Sequence, residues 1–313
     1  MAFLYKNRKE DPGAELRRLL AEKDIIVAPG VFGPSVALLA ESMGFDAAYL
    51  SGAALTGLLA MPDLGVITLS ELVAMTRYIT RVTSIPLIVD ADTGFGETIN
   101  VQRTIRDLEE AGAAAIQIED QVLPKKCGHL SGKKLVPPEE MVKKIVAAVE
   151  ARRKDTLIIA RTDARAIEGI EGAIERAKLY VEAGADIIFP EALRSIEEFK
   201  EFSRALPGVP LLANMTEFGK TPYISVDEFR DAGFKIVIFP VTTFRMAMGA
   251  ARRALEIIRE QGTQKPLVEG PIPVKIMSRQ EFYELIGYYT YEEADREIAG
   301  KAEEIMKRFR SED

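Results

Sequence analysis

A chain of 313 residues, 47% hydrophobic and 28% charged, is long enough to bury one barrel-sized core or two ordinary ones. Its net charge of −7 argues against nucleic acid or an anionic membrane as the main partner. A single cysteine excludes an intramolecular disulfide framework and a cysteine-rich zinc site, and fits a reducing cytoplasm. The first eleven residues turn charged before any long apolar run, so no signal peptide is expected, and no apolar window of about 18 residues offers a membrane span.

In chain order, short apolar runs of strand length fall at residues 25–28, 47–50, 87–90, 115–119, 157–161, 187–190, 211–214 and 236–240. Amphipathic stretches separate them, which is the signature of parallel strands covered by helices. Gly44, Gly112, Gly184 and Gly233 precede alternate strands, where a left-handed helix cap suits glycine. Pro86 and Pro210 open two of the remaining strands, a position proline tolerates. Eight β/α units predict a (β/α)8 TIM barrel over residues 1–262, with a doubly wound open sheet as the runner-up. Helices are predicted over 98–112, 169–184 and 243–262. The segments 51–68 and 121–137 read as long strand-to-helix loops of the kind that carry function. Residues 262–273 read as a linker, and 263–313 as a C-terminal helical extension of the same domain, with helices at 278–286 and 291–309.

Charged and polar residues crowd the carboxyl ends of the strands. Tyr49 and Ser51 follow strand two, Asp90 and Asp92 strand three, Glu119 and Asp120 strand four. Arg161 and Asp163 end strand five, Glu191 strand six, Asn214, Met215 and Thr216 strand seven, and Arg245 opens the helix after strand eight. In a barrel these ends meet on one rim, and helix capping does not explain acids and bases at so many consecutive strand ends. Asp90 and Asp92, two apart on an extended strand, would point to one side and offer hard oxygen donors suited to Mg²⁺. Arg161 and Arg245 are natural carboxylate clamps. No glycine-rich phosphate loop opens a helix, so nucleotide binding is unsupported. Lys125-Lys126-Cys127-Gly128-His129 holds the only cysteine and the only histidine behind two lysines, and cationic neighbours lower a thiol pKa. A metal, carboxylate clamps and a mobile thiol proton point to carbon–carbon chemistry on a di- or tricarboxylate. An inactive barrel used for binding or assembly is the alternative from outside enzymology.

Asp90-Ala-Asp-Thr-Gly-Phe-Gly96, Ile118-Glu-Asp-Gln121 and Lys125-Lys-Cys-Gly-His129 together resemble the isocitrate lyase and phosphoenolpyruvate mutase superfamily, most closely its 2-methylisocitrate lyases. The resemblance runs over residues 27–291 and includes Ala160-Arg-Thr-Asp163, Phe189-Pro-Glu191 and Asn214-Met-Thr-Glu-Phe218. It implies a Mg²⁺-dependent cleavage of 2-methylisocitrate to pyruvate and succinate in the methylcitrate cycle. By the same resemblance Asp90 and Asp92 hold the metal largely through water, with Glu119 one layer further out. Cys127 is the acid that protonates the succinate fragment, tuned by Lys125 and His129, and Tyr49 is the candidate base. Ser51, Gly52, Ala53, Cys127, Gly128, Arg161, Glu191, Asn214, Met215, Thr216, Arg245 and Arg279 surround the substrate. Ala53 stands where the family has glycine, and extra residues precede Arg279. Isocitrate-specific members carry a tryptophan on the sixth strand; this chain has Phe189 there, faced by Ile238, and no Trp at all. The family also swaps its last barrel helix between subunits, which implies a homotetramer of swapped dimers. Isocitrate or dimethylmalate cleavage, carboxyphosphoenolpyruvate mutase activity and oxaloacetate decarboxylation are the alternatives within the superfamily.

Overall fold

Every expected apolar run forms a strand in the computed structural model, which describes residues 11–130, 132–271 and 275–311. The strands are β1 (Ile26–Val31), β2 (Ala48–Leu50), β3 (Leu87–Asp90), β4 (Ala115–Glu119), β5 (Leu157–Thr162), β6 (Ile187–Pro190), β7 (Leu212–Asn214) and β8 (Ile236–Phe239). They run parallel in the order β6-β5-β4-β3-β2-β1-β8-β7, and an Ile188–Leu211 bridge links β6 to β7 across the remaining gap. The result is a TIM barrel rather than an open sheet. Residues 1–10 of the charged N-terminal stretch, Ser131, and Ile272 and Pro273 of the expected linker lie outside the described residues.

The helices are α1 (Pro12–Glu22), α2 (Pro34–Ser42), α3 (Gly52–Leu58), α4 (Leu69–Val82), α5 (Thr98–Glu110), α6 (Pro138–Ala151) and α7 (Gly169–Glu182). They continue with α8 (Ile196–Ala205), α9 (Val226–Asp231), α10 (Thr242–Gln261), α11 (Lys265–Glu269), α12 (Arg279–Leu285) and α13 (Tyr288–Ser311). Reciprocal capping boxes, Thr68 with Glu71, Ser225 with Glu228 and Ser278 with Glu281, fix the starts of α4, α9 and α12. Two expectations are corrected. The segment 51–68 is not all loop, because Ser51 caps the short helix α3. The stretch 262–273 holds the one-turn helix α11, with proline in its first turn, where the missing N–H is harmless.

Side-chain alternation along the strands builds two separate cores. Ile26, Ala28, Tyr49, Ile88, Leu157, Ile159, Ile187, Phe189, Leu212, Ile236 and Ile238 fill the barrel, and Leu16 and Leu19 of α1 join them. The intervening residues, among them Leu50, Val89, Ile116, Ile158, Ile188 and Val237, pack outward with the helices. This two-residue period decides the site. Continued past the last apolar residue, the inward register delivers Asp90, Glu119, Arg161, Glu191 and Asn214 to the barrel mouth.

The described residues divide between Ala247 and Met248, within α10, into two compact units. The first carries the barrel. In the second, α12 and α13 meet through an aromatic cluster in which Tyr283 stacks on Tyr288 with ring centroids 4.3 Å apart. No helix among the described residues is long and apolar enough to cross a membrane.

Candidate active site

The acidic corner starts from Asp90 at the end of β3. The backbone N–H of Gly52 donates to Asp90 Oδ2 at 3.2 Å, and Gln117 Nε2 donates to Oδ1 at 3.1 Å. The other end of the Gln117 amide accepts from the Tyr49 hydroxyl at 2.8 Å. Asp92 does not continue the strand; it turns into the left-handed region at φ +48. The two carboxylates still converge, because a methyl group built on Gly52 would lie 3.2 Å from Asp90 Oδ2 and 3.3 Å from Asp92 Oδ1. A turn rather than strand periodicity brings them together. Lys125 Nζ lies 2.7 Å from Asp92 Oδ1 and also pairs with Asp63.

Asp92 and Glu119 are supplied with fewer hydrogen bonds than Asp90. Burial pushes Asp92 up to about 6 although Lys125 opposes it. Burial also raises Glu119 well above the carboxylate range, against Arg161 and Lys125. Both Glu119 oxygens lack a hydrogen bond among the described residues, with Arg161 Nε 3.3 Å from Oε2. Buried oxygen donors with unmet negative charge fit a hard divalent cation, and a pair of carboxylates suits one that keeps several waters. Asp90 and Asp92 would hold it, with Glu119 behind them. Burial, with Asp90, also drives Tyr49 well above the phenol range. Tyr49 is a hydrogen-bond donor to Gln117.

Opposite stands the loop between β4 and α6. Gln121 holds the Lys126 peptide at both ends, accepting from its N–H at 2.9 Å and donating to its carbonyl at 2.8 Å. Cys127 is half-buried. Burial pushes its thiol above the ordinary value, and a hydrogen bond from the His129 N–H offsets this only in part. The sequence expectation that the lysines lower this pKa is corrected: burial outweighs the favourable contributions, and Lys125 is paired with Asp63 and Asp92. The thiol stays protonated at neutral pH, the form an acid needs. His129 Nδ1 accepts the Lys220 N–H at 2.9 Å, which leaves the ring proton on Nε2, 3.0 Å from Glu191 Oε1.

Arg161 crosses the floor. It donates to Asp163 Oδ2 at 2.9 Å, approaches Glu191 at 3.7 Å and lies 5.2 Å over the Phe189 ring. Burial alone would raise Glu191, but Arg161 and His129 outweigh it and hold this carboxyl at about 2. Asn214 Nδ2 donates to both Glu191 oxygens, at 3.3 and 3.2 Å. Tyr49, Ser51, Ala53, Asp90, Lys125, Cys127, Gly128, His129, Arg161, Phe189, Glu191, Asn214, Thr216, Ile238 and Arg245 all line one cavity of about 530 Å³, open mouth included.

Other predicted residues lie elsewhere. Gly52, Asp92 and Glu119 sit behind the wall. Met215 turns into the outer core, where its sulfur accepts from the Ile224 N–H at 3.3 Å. Asp120, one residue after an inward Glu119, points outward to Thr162 and Tyr180 at 2.7 and 2.8 Å. Arg245 reaches the mouth but is already paired with Glu217 at 2.8 Å. Arg279 is exposed at the start of α12 in the second compact unit. Sequence reasoning missed Asp63, Pro240 and Val241 in the lining and Gln117 beneath it. Asp63 lies in the 51–68 segment whose length had marked it as functional.

Gly128 shows how tightly the loop is seated. A β-carbon there would stand 2.3 Å from Glu191 Cγ and 2.6 Å from Arg161 Nη2, both held by other partners. Gly128→Ala is expected to lose roughly 100-fold or more in turnover while melting near the parent temperature. Parent-like turnover would show that the loop can retreat without harm.

Residues 16–259 match the family described as phosphoenolpyruvate phosphomutase. The chain is 67% identical over 308 residues to a 2-methylisocitrate lyase of Aeropyrum pernix, covering 98% of each chain. It superposes on the crystal structure of a 2,3-dimethylmalate lyase with a TM-score of 0.84 at 39% identity, covering 92% of this chain and 96% of the other. A phosphonopyruvate hydrolase in complex with oxalate and Mg²⁺ gives a TM-score of 0.81 at 33% identity, covering 92% and 99%.

Proposed function

The chain belongs to the phosphoenolpyruvate phosphomutase family, and on that premise we propose that it is a Mg²⁺-dependent carbon–carbon lyase cleaving 2-methylisocitrate to pyruvate and succinate. The observation that carries this reading is that the Cys127 thiol borders the same cavity as Asp90 of the acidic corner. Cleavage requires the substrate hydroxyl to pass its proton to a base, for which Asp90 is the carboxylate of the acidic corner that borders the cavity, and the departing carbon to gain one. A bound divalent cation supplies Lewis-acid polarisation of the hydroxyl-bearing end. Asp90, oriented by Gln117 and the Gly52 N–H, fixes that end of the site. Tyr49 borders the cavity beside it, its own hydroxyl proton committed to Gln117. Cys127 gives its proton to the carbon of the succinate fragment. His129, Asn214 and Arg161 hold Glu191 ionised and immobile under the loop, so the floor stays rigid while the bond breaks. Arg245, at the mouth, exchanges Glu217 for a substrate carboxylate.

Phe189 and Ile238 supply the selectivity. Both are buried and both border the cavity, and we take the apolar space beside them as the seat of a methyl group on the carbinol carbon. Filling such a space is worth about 1–3 kcal/mol, or 10–200-fold in kcat/KM. 2-Methylisocitrate is expected to outperform isocitrate by that margin, and Phe189→Trp to shrink or reverse it. Measuring kcat/KM for both, with dimethylmalate and oxaloacetate alongside, tests the assignment. A preference for isocitrate or for oxaloacetate would overturn it.

The working protein is proposed to be a cytoplasmic homotetramer of swapped dimers. Supporting this, the second compact unit by itself leaves Met248, Leu255, Ile298, Ile305 and Phe309 exposed on α10 and α13. Sedimentation at micromolar concentration is expected to give a tetramer; a monomer would contradict it.

A further inference from the structure

The described residues of the loop carrying Lys125, Cys127 and His129 form no helix or strand, yet a proton donor must hold its direction to a fraction of an ångström. Its root is tied by the Gln121 amide and by the Val122 N–H donating to the Lys134 carbonyl at 2.8 Å. Its tip is tied differently. Lys133, whose side chain is 1% exposed, reaches back and donates to the Gly128 carbonyl at 2.5 Å and to Asp163 Oδ1 at 2.6 Å. Asp163 also accepts from Arg161 Nε at 2.9 Å on its other oxygen, and its own N–H is held by Asp120 Oδ1 at 2.9 Å. One fully buried carboxylate thus joins the guanidinium of the floor to the peptide between Cys127 and His129.

A buried ammonium is a poor way to add stability, since an apolar side chain of similar length often serves as well. What only a donor supplies here is a grip on one backbone carbonyl, and that carbonyl belongs to the residue next to the thiol. We propose that Lys133 is a positioning residue for Cys127, holding the Gly128 carbonyl against Asp163 and so fixing where the thiol presents its proton. The catalytic part of this role rests on Cys127 being the acid. Lys133 and Asp163 do not themselves border the cavity, so the effect passes through Gly128 rather than through substrate.

Cys127 is the only cysteine in the chain, so alkylation by iodoacetamide reports on it alone, without turnover. In Lys133→Met, Asp163 keeps Arg161 as its partner and the fold is expected to survive. Its kcat for 2-methylisocitrate is expected to fall roughly 10–100-fold, with KM changing by no more than about threefold. The alkylation rate at fixed pH is expected to differ from the parent by about fivefold or more, and Lys133→Arg to recover part of both losses. If Lys133→Met does not fold, Lys133→Gln, which keeps a donor without the charge, is read by the same two measurements. Parent-like alkylation and kcat would overturn the proposal. So would a rise in KM matching the fall in kcat with alkylation unchanged, which is what a purely structural lysine gives. Failure of the acid assignment is separate: it shows as full turnover in Cys127→Ser, whereas the alkylation shift in Lys133→Met stands or falls without it.

Discussion

Cys127→Ser is expected to lower kcat by roughly 10²–10⁴-fold and leave KM almost unchanged. Serine matches cysteine in shape, so the seat of Gly128 against Glu191 and Arg161 is kept and substrate binds as before. What changes is the proton, which an alcohol surrenders far less readily than a thiol. Retained KM with lost kcat is the signature of an interaction made only in the transition state. The pH profile offers a second check. Burial holds the Cys127 proton above the ordinary thiol range, and an acid works only while it carries that proton. Activity dependent on it is therefore intact through neutral pH and falls as pH rises through the raised value. The alkaline limb of kcat/KM is expected beyond about 8.5, the ordinary thiol value, and to move or vanish in the variant. A serine enzyme as fast as the parent would make the thiol structural.

The barrel was legible because its signal is redundant. Eight apolar runs, glycine caps before alternate strands and intervening amphipathic stretches all specify the same repeat. The strand-end chemistry was legible for the same physical reason: a two-residue period carried one step past the core puts Asp90, Glu119, Arg161 and Glu191 inward. That rule also explains the misreadings. Asp120 and Met215 each follow an inward residue and so face outward, and a period-two argument for Asp92 fails where the backbone turns left-handed. Loop geometry left no comparable trace. Nothing in the spacing of Asp63 and Lys125 announces their ion pair across the segments 51–68 and 121–137. Nor does the sequence reveal that Lys125 is engaged by Asp63 and Asp92 and that burial raises the Cys127 pKa instead of lowering it. Gln117 was hidden within an apolar run, its amide serving Tyr49 on one side and Asp90 on the other.

Removing the divalent cation is expected to abolish turnover, and adding Mg²⁺ to restore it. The argument is electrostatic. Asp90, Asp92 and Glu119 are buried close enough that burial and mutual repulsion outweigh Lys125 and Arg161 for Asp92 and Glu119. A cation bound to that corner relieves the repulsion, so it also stabilises the fold, by about 2.7 kcal/mol at a concentration 100 times its dissociation constant. Mg²⁺ is thus expected to raise the melting temperature of the parent as well as its activity. Asp92→Ala removes one of the two candidate donors together with one like charge, and Lys125 keeps Asp63 as its partner. This variant is expected to fold, to lose turnover by orders of magnitude, and to show no Mg²⁺-dependent rise in melting temperature. The thermal shift separates loss of the cation from loss of chemistry, because Cys127→Ser should keep it in full. Undiminished turnover in excess EDTA, or an Asp92→Ala protein still stabilised by Mg²⁺ like the parent, would remove the cation from this corner.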